Sequence, residues 1–200
     1  MQFIIKKFLI TYVFIASLCF QNNLYSGALQ DDIEDFGLIS LMYHRFEENK
    51  YPSTNIKILD FKKQLEIIQA NDIKFINPKD FEKELTDNKK QRKVLLTIDD
   101  GFLSFYEKAW PILKQNKIPF VLFVSTREIG SFNYMTWEQI IEINNEDFVE
   151  IGNHSHTHEY LVDENNELIK ADIQKSIDIF KKKLGKNSYF FSFKKGHAFL

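Results

Sequence analysis

Short apolar runs that end in Asp, Asn or Gly alternate along this sequence with longer stretches of helical periodicity. Such a chain repeats a strand, a helix and a strand, and it buries its strands best as βα units around a parallel sheet or barrel. Strands are expected at 37–43, 74–76, 94–98, 120–125 and 148–152, with helices at 60–71, 78–86, 102–116, 137–144 and 164–184. Thr136 reads as the cap of the helix at 137–144. Lys181, Lys182 and Lys183 read as the solvated end of the last helix, where the dipole favours positive charge. Hydrophobic residues make up 44% of the chain, enough for a real core. The 26 basic and 28 acidic side chains nearly cancel, which leaves no electrostatic footprint for nucleic acid. Twenty phenylalanines beside many Ile, Lys and Asn read as the mark of a coding sequence rich in A and T.

Two of the expected strands end in residues that carry chemistry. Val94-Leu95-Leu96-Thr97-Ile98 runs into Asp99-Asp100-Gly101. The carboxyl end of a strand is where α/β folds gather binding groups, because the strand fixes the backbone while the loop stays open. Gly101 allows a sharp turn, and adjacent side chains point in different directions, so one carboxylate can hold a metal while the other accepts a proton. Alone, this triplet also describes a solvated turn. The buried strand before it favours a site.

The second segment is His154-Ser155-His156-Thr157-His158, after the strand-like Phe148-Val149-Glu150-Ile151-Gly152. Three of the chain's five histidines lie in those five residues, which composition does not explain. If the loop turns helically, His154 and His158 share a face and can reach one ion as neutral imidazoles, with His156 pointing elsewhere. Together the two segments point to a metal-dependent hydrolase.

The order Thr97-Ile98-Asp99-Asp100-Gly101, then His154-Ser155-x-x-His158, resembles the first two signature motifs of the polysaccharide deacetylases, carbohydrate esterase family four. Leu41-Met42-Tyr43-His44-Arg45, Pro119 to Val124 and Met135-Thr136-Trp137-Glu138 add to the likeness, which runs from about Leu38 to about Leu184. The resemblance implies a distorted (β/α) barrel, with Asp100, His154 and His158 as metal ligands and Asp99 as general base. It implies hydrolysis of N- or O-linked acetyl groups on an acetylated polysaccharide or oligosaccharide. A divalent metal there supplies a nucleophilic water at neutral pH and polarises the acetyl carbonyl. Zinc is the first choice, while cobalt, manganese and iron suit the same His-His-Asp set. Ser155 reads as a loop-shaping hydroxyl, since no base is placed for it.

Other residues have two readings. His44, after the first strand, either lines the mouth of the site as a substrate-binding group or is an ordinary packed histidine. Trp137 reads as core in preference to a sugar platform, and Thr97 as strand packing. Phe102, Phe105, Tyr106 and Trp110 have helical spacing and read as a buried face.

At the amino terminus, Met1 to Lys7 is basic and Phe8 to Phe20 apolar, the pattern of a secretory signal too short to span a bilayer comfortably. Ser26, Gly27 and Ala28 suit cleavage, so 1–28 is expected to be a signal peptide and 29–200 the catalytic domain. The protein is then secreted or periplasmic. The alternative is an uncleaved membrane anchor through 3–20. The sole cysteine, Cys19, falls in this segment, so the mature chain offers only nitrogen and oxygen ligands and no disulfide.

Near the carboxyl end, the resemblance implies a motif with Tyr or Phe, Pro and Gly, then later strands with an aspartate and a general-acid histidine. Tyr189-Phe190-Phe191-Ser192-Phe193-Lys194-Lys195-Gly196 lacks the proline, and His197 does not match the acid's position. Residues 29–200 also fall short of the roughly 200 usual for a complete eight-unit barrel. The chain is thus expected to correspond to the amino-terminal part of a deacetylase domain. An active enzyme, a metal- or glycan-binding remnant and a truncated gene product are the three readings. The polymer is left open.

Overall fold

The structure, a computed structural model, describes residues 37–87 and 91–194. Its elements are β1 (Gly37–Tyr43), β2 (Arg45–Phe46), β3 (Asn55–Ile56), α1 (Ile58–Ala70), β4 (Lys74–Phe75), α2 (Phe81–Thr86), β5 (Arg92–Ile98), α3 (Trp110–Asn116), β6 (Phe120–Val124), α4 (Trp137–Asn144), β7 (Val149–Asn153) and α5 (Asn166–Leu184). The expected signal at 1–28, the alternative anchor at 3–20, Cys19, Ser26, Gly27, Ala28 and His197 lie outside the described residues. Among the described residues no helix is long and apolar enough to cross a membrane.

Strand β5 is the hub of a five-stranded parallel sheet. One edge carries β1 along its whole length, from Gly37 beside Arg92 to Tyr43 beside Ile98. The other edge is divided: β4 pairs with its start at Lys93 and Val94, and β6 pairs with its end from Leu96 to Ile98. Strand β7 continues beyond β6, and one parallel bridge joins Asn153 to Phe191. The sheet is all-parallel with helical crossovers, as the alternation implied. It is open among the described residues, in keeping with an incomplete, distorted barrel. Past β7 the described residues contribute a single bridge.

Alternation along the strands divides the core in two. Val94, Leu96 and Ile98 of β5, Phe120, Leu122 and Val124 of β6, and Val149 and Ile151 of β7 face the helices. Leu95, Val121 and Phe123 face the other side, where Ile76 completes a smaller cluster with Leu38, Phe81 and Phe190 packed on it. Helix α1 buries Phe61, Leu65 and Ile68, one helical face. Aromatic rings bridge the helix layer edge-on, with Phe46–Phe61 at 5.1 Å, Phe105–Phe120 at 5.4 Å and Trp110–Phe120 at 5.8 Å between centroids. Much of the phenylalanine that composition alone ascribed to coding bias therefore fills this layer. Phe102, Phe105 and Trp110 are buried as their spacing predicted, and Tyr106 packs beside them.

Local chemistry accounts for several element boundaries. Thr136 and Gln139 form the expected capping box of α4, and Asn165 caps α5 through the amides of Glu167 and Leu168. Gly185 closes α5 in the left-handed conformation after its three lysines. The helix expected at 102–116 is interrupted by a π-helical turn, Phe105–Ala109. Pro111 has no amide hydrogen to continue the regular ladder, which is where such a turn forms. The short parallel pair of β2 and β3 carries no periodic signal in the sequence.

At the amino-terminal end of β5, opposite the carboxylate motif, lies a buried ion cluster. Lys93 Nζ stands 3.0 Å from Glu84 Oε2 and 3.2 Å from Asp87 Oδ2, and donates to the Glu84 carbonyl at 2.9 Å. Lys74 also pairs with Glu84. The hydrogen bonds from Lys74 and Lys93 outweigh burial and hold the Glu84 carboxyl below its ordinary value of 4.5. Because the folded value is the lower one, the cluster's contribution is complete above pH 4.5 and is lost as pH falls through the folded value. Glu84→Gln is expected to destabilise the protein at neutral pH by about 1–3 kcal/mol and to flatten the acid limb of a stability-against-pH curve from urea titrations.

Against the smaller cluster, a Cβ at Gly152 would overlap the Phe123 ring and stand 3.0 Å from Val121 Cγ1. Gly152→Ala should cost about 1–3 kcal/mol in chemical denaturation, and Phe123→Leu in the same chain should restore part of it.

Candidate functional site

The carboxylate motif and the histidine segment leave adjacent regions of one sheet. The carboxylates follow β5, the histidines follow β7, and β6 lies between. The Asp99 amide donates to the Tyr43 carbonyl at 2.8 Å, which extends the β1–β5 ladder into the motif. Asp100 and Gly101 then adopt left-handed backbone, φ 75° and 77°. A Cβ at Gly101 would also stand 3.0 Å from Ile129 Cδ1, so the position suits glycine on two counts. The Gly101 carbonyl accepts the Met135 amide at 2.9 Å, closing the turn.

The histidine segment is not helical. It is an irregular loop in which Ser155 and His158 take left-handed backbone, φ 68° and 60°. The expected helical turn is thus corrected: the chain reverses through two left-handed residues, and that reversal brings His158 back beside His154. Ring centroids of the two are 5.0 Å apart. Side chains fix the reversal, since the Ser155 amide donates to Asn153 Oδ1 at 2.9 Å and the His158 amide to Ser155 Oγ at 3.1 Å. Ser155 therefore shapes the loop, as its lack of a base suggested. The loop after β6 is stitched alongside: the His154 amide donates to the Val124 carbonyl, and the Thr126 and Arg127 amides donate to the Ser155 and His156 carbonyls.

Asp100, His154 and His158 meet. One ligand atom from each lies within 4.8 Å of the others. The Nε2 atoms of His154 and His158 stand 3.4 and 2.9 Å from Asp100 Oδ1. Ligands about 2.0–2.2 Å from a tetrahedral ion stand roughly 3.3–3.6 Å from one another, so these spacings are of the right order. Two further observations fit a cation. Asp100 Oδ1 is buried without a well-formed hydrogen bond. His154 Nδ1 lies 2.7 Å from the Ser192 carbonyl, a partner that assigns the ring proton to Nδ1 and leaves the Nε2 lone pair facing Asp100. His156 faces away, with Nδ1 2.8 Å from Thr126 Oγ1.

The two aspartates differ electrostatically. Burial raises Asp99 above the usual carboxylate range, the nearby histidines only partly opposing it, and its Oδ1 has no partner. Burial acts on Asp100 too, but the facing imidazoles of His154 and His158 outweigh it and hold that carboxyl far below the usual range. Burial would lower His154, yet Asp100 and Asp99 raise it overall. His44, half-buried after β1, favours the ionised form of both carboxylates and lines a recess of about 300 Å³ with Tyr43, Ser53, Thr54 and Asn55. Trp137 is half-buried against Phe180, and Thr97 is buried in β5, as expected of packing residues.

The sequence reading did not single out Asp172, Ser176 or Ser192. Asp172 on α5 accepts the His156 amide at 2.7 Å and the Thr157 amide at 2.9 Å. Ser176, one turn on, accepts Asn153 Nδ2 at 2.8 Å. The signal that locates Asp172 and Ser176 is helical spacing within α5, legible only once the helix is known to pack on the histidine loop; Ser192 lies beyond that helix.

Comparison with known proteins adds three findings. The family model described as polysaccharide deacetylase matches residues 86–198. A poly-beta-1,6-N-acetyl-D-glucosamine N-deacetylase of Staphylococcus epidermidis is 29% identical over 179 residues, 82% of this chain and 60% of that protein. One of the same name from Staphylococcus aureus is 28% identical over 163 residues, 75% of this chain and 55% of that protein. The chain thus spans somewhat more than half the length of these curated relatives. Among solved structures, IcaB from Ammonifex degensii superposes with a TM-score of 0.71 at 27% identity, covering 82% of this chain and 77% of that one. The Streptococcus pyogenes deacetylase PplD, solved with acetate, gives 0.68 at 23% identity over 77% and 72%.

If the cluster holds a divalent cation, adding zinc to chelator-treated protein should raise its thermal midpoint. At a free concentration one hundred times Kd, the gain is about 2.7 kcal/mol. His158→Ala should remove most of that gain in calorimetry.

Proposed function

The chain belongs to the polysaccharide deacetylase family, and we propose that it is a metal-dependent hydrolase that removes acetyl groups from a polysaccharide. The observation that carries this reading is the buried meeting of Asp100, His154 and His158 beside Asp99, at the carboxyl ends of parallel strands. Asp100 Oδ1 and the two Nε2 atoms would hold the cation, zinc in first place, with cobalt, manganese or iron as alternatives. When bound, it supplies Lewis acidity, making a water more acidic and the acetyl carbonyl more electrophilic.

The chain's own residues do the rest. Asp99 accepts the proton of the attacking water, and its raised pKa makes it a stronger base than an exposed aspartate. The Ser192 carbonyl keeps His154 in the required tautomer. His44 and the recess beside it face the substrate at the mouth of the site. Attack of the water oxygen on the acetyl carbon, followed by cleavage of the carbon–nitrogen bond, releases acetate and delivers one proton to the departing amine.

The names of the staphylococcal relatives favour an amide substrate, a β-1,6-linked N-acetylglucosamine polymer, over an acetyl ester. Export through residues 1–28 rests on the basic and then apolar pattern of that segment, with retention at the membrane through 3–20 as the alternative. The second reading, a metal- or glycan-binding remnant, rests on the open sheet.

Acetate release from acetylated β-1,6-glucosamine oligomers separates the two. Zinc- or cobalt-loaded protein is expected to release acetate, with Asp99→Asn at least about 100-fold slower and His154→Ala inactive. A folded, metal-loaded protein that releases none would favour the binding remnant.

A further inference from the structure

We propose that Asp172 is a positioning residue for the metal centre: its carboxylate clamps the histidine loop in the reversed conformation that brings His158 beside His154. The proposal rests on the reading of Asp100, His154 and His158 as metal ligands. Asp172 lies on α5, and its hydrogen bonds go to the backbone and the Thr157 hydroxyl of the segment between the ligands.

The geometry is specific. Both carboxylate oxygens are used, Oδ1 accepting the His156 amide at 2.7 Å and Oδ2 accepting the Thr157 amide at 2.9 Å and the Thr157 hydroxyl at 2.5 Å. These two consecutive amides are the centre of the segment between the ligands. Consecutive amides converge on one carboxylate only when the backbone between them is folded back, and the left-handed Ser155 and His158 on either side produce that fold. Without an acceptor, two half-buried amides would lose their partners, and an extended loop would carry His158 away from Asp100.

The clamp extends along the helix. Asp172, Ser176 and Phe180 follow one another at four-residue intervals, so they form a single stripe on α5. Phe180 is in the main core, Ser176 is fully buried and accepts Asn153 Nδ2, and Asp172 takes the loop. Asn153 in turn accepts the Ser155 amide. One rigid helix face therefore fixes the end of β7, the residue after His154 and the two residues before His158. A metal site needs such support to hold its ligands at coordination distance.

Three variants test the proposal. Asp172→Ala removes every acceptor, Asp172→Asn keeps one oxygen and loses the other, and Thr157→Val removes only the hydroxyl. Zinc affinity by competition with a chromophoric chelator is expected to fall roughly 10–100-fold in Asp172→Ala, less in Asp172→Asn and least in Thr157→Val. The visible spectrum of the cobalt-loaded variants should shift in the same order, a signature that lost global stability would not produce. In metal-free protein, the His156 and Thr157 amides should exchange hydrogen faster in both Asp172 variants, while β7 amides are unchanged. Zinc affinity and cobalt spectra equal to wild type in a folded Asp172 variant would overturn the proposal. Should Asp172→Ala not fold, Asp172→Asn decides on the same readings. Wild-type protein that binds no metal would instead sink the metal-centre reading, and the clamp as a metal device with it.

Discussion

The backbone hydrogen bonds along β5 fix the geometry on which the rest depends. The strand is held on one side by all of β1 and on the other by β4 and then β6, so its carboxyl end has no freedom to shift relative to the sheet. The bond from the Asp99 amide to the Tyr43 carbonyl carries that restraint one residue past the strand. Asp99 and Asp100 are thereby placed by many weak, cooperative contacts. The histidines reach the same point from β7, across one intervening strand, and the two loops meet because all three strands run the same way.

The site is also where the backbone is most unusual. Asp100, Ser155 and His158 are in left-handed conformations that cost an ordinary residue roughly 1–2 kcal/mol each. Such conformations persist when neighbouring groups determine them, and here the determinants are identifiable. The Gly101 carbonyl is taken by Met135, the Ser155 amide by Asn153, and the His158 amide by the Ser155 hydroxyl. Two of the three, Asp100 and His158, are ligands in the converging cluster, and the third, Ser155, turns the loop that carries His158 back to it.

Much of this was legible in the sequence. The strands that end in Asp99 and in Gly152-Asn153 are short apolar runs closed by polar residues, and the cap at Thr136 has its own local signature. Of the residues singled out for the site, Asp100, His154 and His158 lie within 4.8 Å of one another. The route was different, because spacing of four suggested a helical turn, whereas side-chain bonds from Asn153 and Ser155 impose a reversal that no periodicity encodes. Asp172 was invisible for a related reason. It lies fourteen residues beyond His158, and its partners are backbone amides, which look alike in every sequence. The distorted, incomplete barrel was inferred from likeness alone, and among the described residues one bridge extends the sheet beyond β7.

The contrast between the two aspartates shows how position divides one chemistry into two. They are adjacent, nearly equally buried, and each has an oxygen without a hydrogen bond. Burial alone would raise both. Asp100 escapes because two imidazoles face it, so it stays an anion, as a cation ligand must. Asp99 has no such direct partner and is left with the raised value of a buried carboxyl. The left-handed turn at Asp100 sends one carboxylate to the imidazoles and leaves the other aside. Had the backbone continued as regular strand, the two side chains would have pointed to opposite faces of the sheet, and only one could have reached the site.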